Sequence, residues 1–154
     1  MRIETLTPNT MSKPPCPLWF KIVAVVAVLW NIMGLTAFIF DIQMTPEELA
    51  EMELHPAMEE AYLNSPTWNW IAYGVATICG FLGSVMLLLR KKIALPILGL
   101  SLLGVLVQFC GSYLMTDLMS ALGATGMIMP VMIVIIAIYL YFLSHKAKKA
   151  GWLV

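Results

Sequence analysis

The chain has 154 residues, of which 60% are apolar and only 12% charged, with no net charge and a mean hydropathy of +0.86. Ordinary soluble domains carry about 25% charged residues. A chain this small and apolar cannot cover a water-facing surface with polar groups, which excludes a soluble enzyme, a nucleic-acid-binding domain and a disordered polypeptide, and points to the lipid bilayer as its surroundings.

Residues 1–21 read as a polar lead-in punctuated by Pro8, Pro14, Pro15 and Pro17. The first apolar run, 22–40, is long enough to cross the hydrocarbon core as a helix. It exceeds the h-region of a cleaved signal peptide, so it is expected to stay as a signal-anchor. A loop over 41–67 follows. In it, Thr45-Pro46-Glu47-Glu48 predicts a helix start, with Thr45 as N-cap, Pro46 at the first helical position and Glu48 closing a capping box. That helix should run to about Leu54 and stop before Pro56; a second should run from Pro56 to Leu63 and end near Asn64. Ser65-Pro66 should start the second span in the same way. Further spans are expected at 68–89, 93–115 and about 126–143, with a basic tail over 144–154. No span contains Asp, Glu, Lys, Arg or His. These runs do not alternate as barrel strands do, so the fold class is an all-α membrane protein with four transmembrane helices.

The basic residues fall in three places: Arg2, Lys13 and Lys21 before the first span, Arg90–Lys92 between the second and third, and Lys146, Lys148 and Lys149 after the fourth. Positive segments stay in the cytoplasm. Both termini and the 90–92 turn are therefore expected inside, with the 41–67 loop and the 116–125 turn outside. The loop carries Glu47, Glu48, Glu51, Glu53, Glu59 and Glu60. They read as a solvated cap rather than as a cation-attracting surface. Leu49, Met52, Tyr62 and Leu63 are expected to rest on the membrane or the helix ends. Trp68 and Trp70 are expected in the outer aromatic belt, and Trp19, Tyr139, Tyr141 and Trp152 in the inner one.

Lipid removes most of the hydrophobic drive between helices, so small residues that let backbones approach mark the packing faces. The second span carries Ala72, Ala76, Gly80 and Ser84 at spacings of four. The first carries Ala24, Ala27, Asn31 and Gly34, and the third Ser101, Gly104, Gln108 and Gly111. Each set lies on one helix face. The fourth span has few small residues and should be the most lipid-exposed, with a bend at Pro130. Asn31 and Gln108 are the strongest polar groups within the spans, and a carboxamide in hydrocarbon needs partners. Counted from Asp41 and Asp117 both lie about 15 Å deep; counted from Lys21 and Lys92 they differ by about 9 Å, which a tilted third span would reconcile. They are expected either to hydrogen-bond each other or to form a polar site for a small solute. Asn31-x-x-Gly34 with Asp41 and Gln108-x-x-Gly111 with Asp117 also hint at a parallel duplicated hairpin.

Chemistry is sparse. His55 and His145 lie outside the spans, excluding a bis-histidine haem within them. There is no C-x-x-C, phosphate loop, H-E-x-x-H or G-x-S-x-G. Cys16, Cys79 and Cys110 do not make a disulfide framework. Met52-x-x-His55-x-x-Met58, with Met115, Met119, Met127 and Met129, reads as packing rather than a soft-metal site. No catalytic residue, cofactor or metal is expected, and no nucleic-acid partner.

Five segments carry a resemblance: L-W-N-I-M-G (29–34), T-P-E-E-L (45–49), S-P-T-W (65–68), L-L-L-R-K-K (87–92) and A-L-P-I-L (94–98). Together they resemble a group of small, functionally uncharacterised four-helix proteins of bacterial inner membranes, often labelled sugar transporters. The resemblance covers the first three spans and implies a multi-pass inner-membrane location. The chain lacks the Pro-Gln dipeptide of three-helix-repeat sugar facilitators. The expected function is a non-enzymatic accessory or scaffold component that packs with itself or another membrane protein. The alternative is a facilitator of a small neutral solute such as a sugar. A dry, tight interior favours the first, and a cavity reaching Asn31 and Gln108 the second.

Overall fold

A computed structural model describes residues 15–115 and 118–154. The lead-in over 1–14 and Asp117 lie outside the described residues. Six helices follow in order: α1 (Leu18–Asp41), α2 (Pro46–Glu51), α3 (Pro56–Leu63), α4 (Thr67–Leu88), α5 (Ala94–Met115) and α6 (Leu118–Lys149). The described residues contain no strand. Four of the helices, α1, α4, α5 and the Gly123–Lys149 part of α6, are long and apolar enough to cross a membrane. The protein is an all-α, multi-pass integral membrane protein.

Helix boundaries depart from the sequence expectation at identifiable places. α1 begins at Leu18, so Lys21 lies in its first turn. α2 has the expected Thr45–Glu48 capping box but ends at Glu51, because Glu53 turns to a φ of 48°. Ser65 does not cap α4. Its hydroxyl donates back to the Ala61 carbonyl of α3 at 2.6 Å, and Pro66 takes the N-cap position without a side-chain bond. α6 continues to Lys149, so most of the basic tail is helical. Its backbone leaves the helical conformation at Gly123 (φ 60°, ψ −162°), while Pro130 lies inside the helix. Glycine alone enters that left-handed region without strain.

The spans form a curved row. α1 packs on α4, α4 on α5 and α5 on α6, while α3 reaches across to α6. α4 and α5 are the central pair, and α1 is as exposed as α6. The expectation that the fourth span is the most exposed is therefore corrected: α1 is exposed to the same extent. The central contact is close because of glycine. A Cβ added to Gly104 of α5 would lie 2.8 Å from the Ala76 nitrogen and 3.0 Å from the Ala72 carbonyl of α4.

The even number of spans brings Leu18, the Arg90–Lys92 turn and Val154 to one end, here called the basic end. A dry cluster seals it: Phe20, Leu87, Leu98, Leu143, Ala147 and Leu153 are buried together. Residues 152–154 are clamped to the turn, since Arg90 Nε donates to the Trp152 carbonyl at 2.7 Å and the Lys92 amide to the Val154 carbonyl at 3.1 Å. Trp152 is partly buried and packs on Trp19 and Phe20, with centroids 5.7 and 5.5 Å apart.

Candidate functional site

Toward the opposite, acidic end the row opens. α1 and α6 flank a cavity of about 490 Å³ without packing closely against each other, and α3 lies over its outer end. The cavity runs along α1 from Asp41 to Trp30, about 16 Å of helix at 1.5 Å per residue. Both Asn31 and Gln108 line it. Their surroundings explain why it stays open: Gly34, Ala37, Ala76, Gly80 and Ala137 on its walls have too little side chain to fill it.

Asn31 and Gln108 are brought to the same cavity but are not joined by a hydrogen bond. The Asn31 amide nitrogen donates to Ala27 O at 2.8 Å and to Ser84 Oγ at 3.0 Å. Its oxygen lies over Gly80, where any Cβ would collide with it. The pairing expected between the two carboxamides is thus replaced by an α1–α4 bond to Ser84, which is fully buried. Ser101 Oγ donates to Ala76 O at 2.7 Å, tying α5 to α4 beneath the cavity.

The small-residue face of α4 is buried along its length at Ala72, Ala76, Gly80 and Ser84. Gly111 of α5 receives the Trp68 ring, and Gly34 of α1 is only in ordinary contact, with a Cβ there 3.9 Å from Thr77 Cγ2.

Two groups of site residues escaped the sequence reading. Asn69 continues the α4 ridge one turn outward, three positions before Ala72, which was the available signal. It is 7% exposed, and its nitrogen donates to Ser112 Oγ at 3.1 Å and to Ser65 Oγ at 3.5 Å. Asn69 lines the cavity, but its oxygen is buried toward Gly111 of α5, with no hydrogen-bond partner among the described residues. The second group is at the mouth. Tyr73 Oη donates to Asp41 Oδ2 at 3.0 Å, and the Tyr62 hydroxyl interacts with the same carboxylate. Burial, and after it Asp41, holds the Tyr62 phenol well above the usual tyrosine range. Trp70, expected in the outer belt, lines the cavity against Tyr62 at 5.6 Å. No local pattern links Asp41 to a tyrosine 32 positions away.

Elsewhere, His55 Nδ1 accepts from the Ala57 amide at 3.3 Å and so caps α3. The three cysteines are free. Leu49 is buried beneath the loop, while Met52 and Leu63 are exposed.

No protein-family model, curated protein or solved structure matches this chain.

Proposed function

We propose that this protein is a non-enzymatic facilitator of a small solute, with the cavity as its binding site. The observation that carries the reading is the cavity itself, at the depth where Asn31 and Gln108 sit. A scaffold held by small-residue packing needs no such space, because an empty pocket forfeits the contacts that hold helices together in lipid. At about 490 Å³ it lies within the roughly 300–1,000 Å³ of small-molecule sites, and it combines apolar walls with a few polar groups. The positive-inside rule supports a cytoplasmic sealed end, which would turn the cavity outward in the inner membrane that the resemblance implies.

The test is uptake of labelled neutral sugars and small amines into liposomes. Saturable uptake above that of empty liposomes is expected for the wild type. It should be lost in Ala137→Phe, which fills the cavity from a half-buried wall position and should leave the melting temperature within about 3 °C. No uptake of any solute by folded protein would overturn the facilitator reading and return the scaffold.

A further inference from the structure

Among the described residues the cavity carries one charged group, and it sits at the mouth. Asp41 is half-buried, and no Lys, Arg or His lines the cavity among its described residues. The Tyr73 phenol donates to the carboxylate and the Tyr62 hydroxyl lies against it, but neither supplies a counter-charge. The carbonyl ends of two helices add to that negative charge. α1 ends at Asp41 and α3 ends beside it, and neither has a basic residue in its last turn. From residue 22 to residue 89 the sequence contains no Lys or Arg at all.

The walls around the carboxylate are aromatic. Tyr62 and Trp70 have ring centroids 5.6 Å apart, and Trp70 and Tyr73 are 6.3 Å apart. All three line the cavity with Asp41. Ring faces attract cations most strongly where water is excluded. A hard metal ion needs six or more oxygen ligands, which one carboxylate among rings does not provide. An organic ammonium needs one counter-charge and apolar contact for its substituents.

We propose that the acidic end of the cavity is a subsite for the charged nitrogen of an organic amine or quaternary ammonium. Asp41 is its counter-ion, and Tyr62, Trp70 and Tyr73 are its walls. The uncharged body of the ligand lies deeper, toward Asn31 and Gln108. This rests on the cavity being a solute site, and it changes the expected solute from a neutral molecule to one with a cationic head.

The experiment compares two isosteric probes, benzyl(2-hydroxyethyl)dimethylammonium and its carbon analogue 3,3-dimethyl-4-phenylbutan-1-ol. Each is titrated calorimetrically into the full-length protein in neutral-lipid nanodiscs, for wild type, Asp41→Asn and Asp41→Glu. Comparing variants for one probe cancels its partition into lipid. Asp41→Asn is expected to weaken the ammonium about tenfold and the alcohol less than about twofold, while Asp41→Glu keeps most of the ammonium affinity. Binding of both probes with no selective loss in Asp41→Asn overturns the subsite and leaves the cavity reading standing. Binding of neither probe to wild type overturns both. If Asp41→Asn does not fold, the ammonium must still bind wild type and Asp41→Glu more tightly than the alcohol, and equal affinities overturn the proposal.

Discussion

At the basic end of the bundle, Phe20, Leu87, Ala147 and Leu153 are almost completely buried, whereas toward the acidic end α1 and α6 stand apart around about 490 Å³ while α4 and α5 stay in contact. The chemistry changes along with the packing. The sealed end uses aliphatic and aromatic side chains and a main-chain clamp through Arg90. The open end uses Asn31, Asn69, Ser65 and the Asp41–Tyr73 pair, each bonded to a neighbouring helix or to its own backbone. Lipid gives no hydrophobic reward for bringing helices together, so tight packing at one end can hold the row while polar bonds prop the other. The sealed end is expected to carry most of the stability, and the open end the ligand specificity.

That division can be broken by mutation, and the largest effect is expected at the seal. Phe20→Ala removes a 1% exposed ring between α1 and Trp152 and should cost about 3 kcal/mol in a reversible unfolding assay in mixed micelles. Tyr73→Phe at the mouth should cost about 1 kcal/mol or less, since it deletes one hydrogen bond and leaves the ring in place. A larger loss at Tyr73 than at Phe20 would reverse the comparison.

The glycines give a second, smaller contrast. Gly104→Ala drives a methyl into the α4 backbone and is expected to cost about 1–3 kcal/mol. Gly34→Ala meets only Thr77 at 3.9 Å and should change stability by less than about 0.5 kcal/mol in the same assay. Equal effects would mean that α1 is packed as closely as α5.

The polar bonds should couple in a specific pattern. A double-mutant cycle of Asn31→Leu with Ser84→Ala is expected to show a coupling of about 0.6–1.5 kcal/mol. The cycle of Asn31→Leu with Gln108→Leu should be additive within about 0.4 kcal/mol, because no hydrogen bond joins the two. Coupling confined to the second cycle would restore the direct pair.

The smallest effect lies in the loop. Hydrogen bonds from the Thr45 amide and hydroxyl hold Glu48 below its ordinary pKa of 4.5. A depressed carboxylate stabilises the folded state above its unfolded pKa and loses that contribution as pH falls through the lower folded value. Carboxyl NMR should therefore give Glu48 a midpoint below 4.5, and Thr45→Ala should return it toward 4.5.

The four spans were legible because the bilayer demands long uncharged runs and leaves the sequence little choice. The loop helices were legible through local capping chemistry at Thr45, Pro46 and Pro56. The inward faces were legible as small-residue ridges. What those ridges face was not, because a small side chain marks both a close contact and an empty space. Gly104 is against backbone, whereas Ala37 and Ala137 border the cavity. The mouth was hidden for another reason. Asp41, Tyr62 and Tyr73 come from three helices, and their meeting depends on how α3 folds over the bundle.

The most direct test of the open and sealed ends is thiol accessibility. In a background with Cys16, Cys79 and Cys110 replaced by alanine, Gln108→Cys on the cavity wall and Leu87→Cys in the seal would be treated with a small hydrophilic methanethiosulfonate. Modification is expected to be at least about tenfold faster at Gln108→Cys, and slower again when Ala137→Phe fills the cavity. Equal rates, or faster reaction at Leu87→Cys, would contradict it.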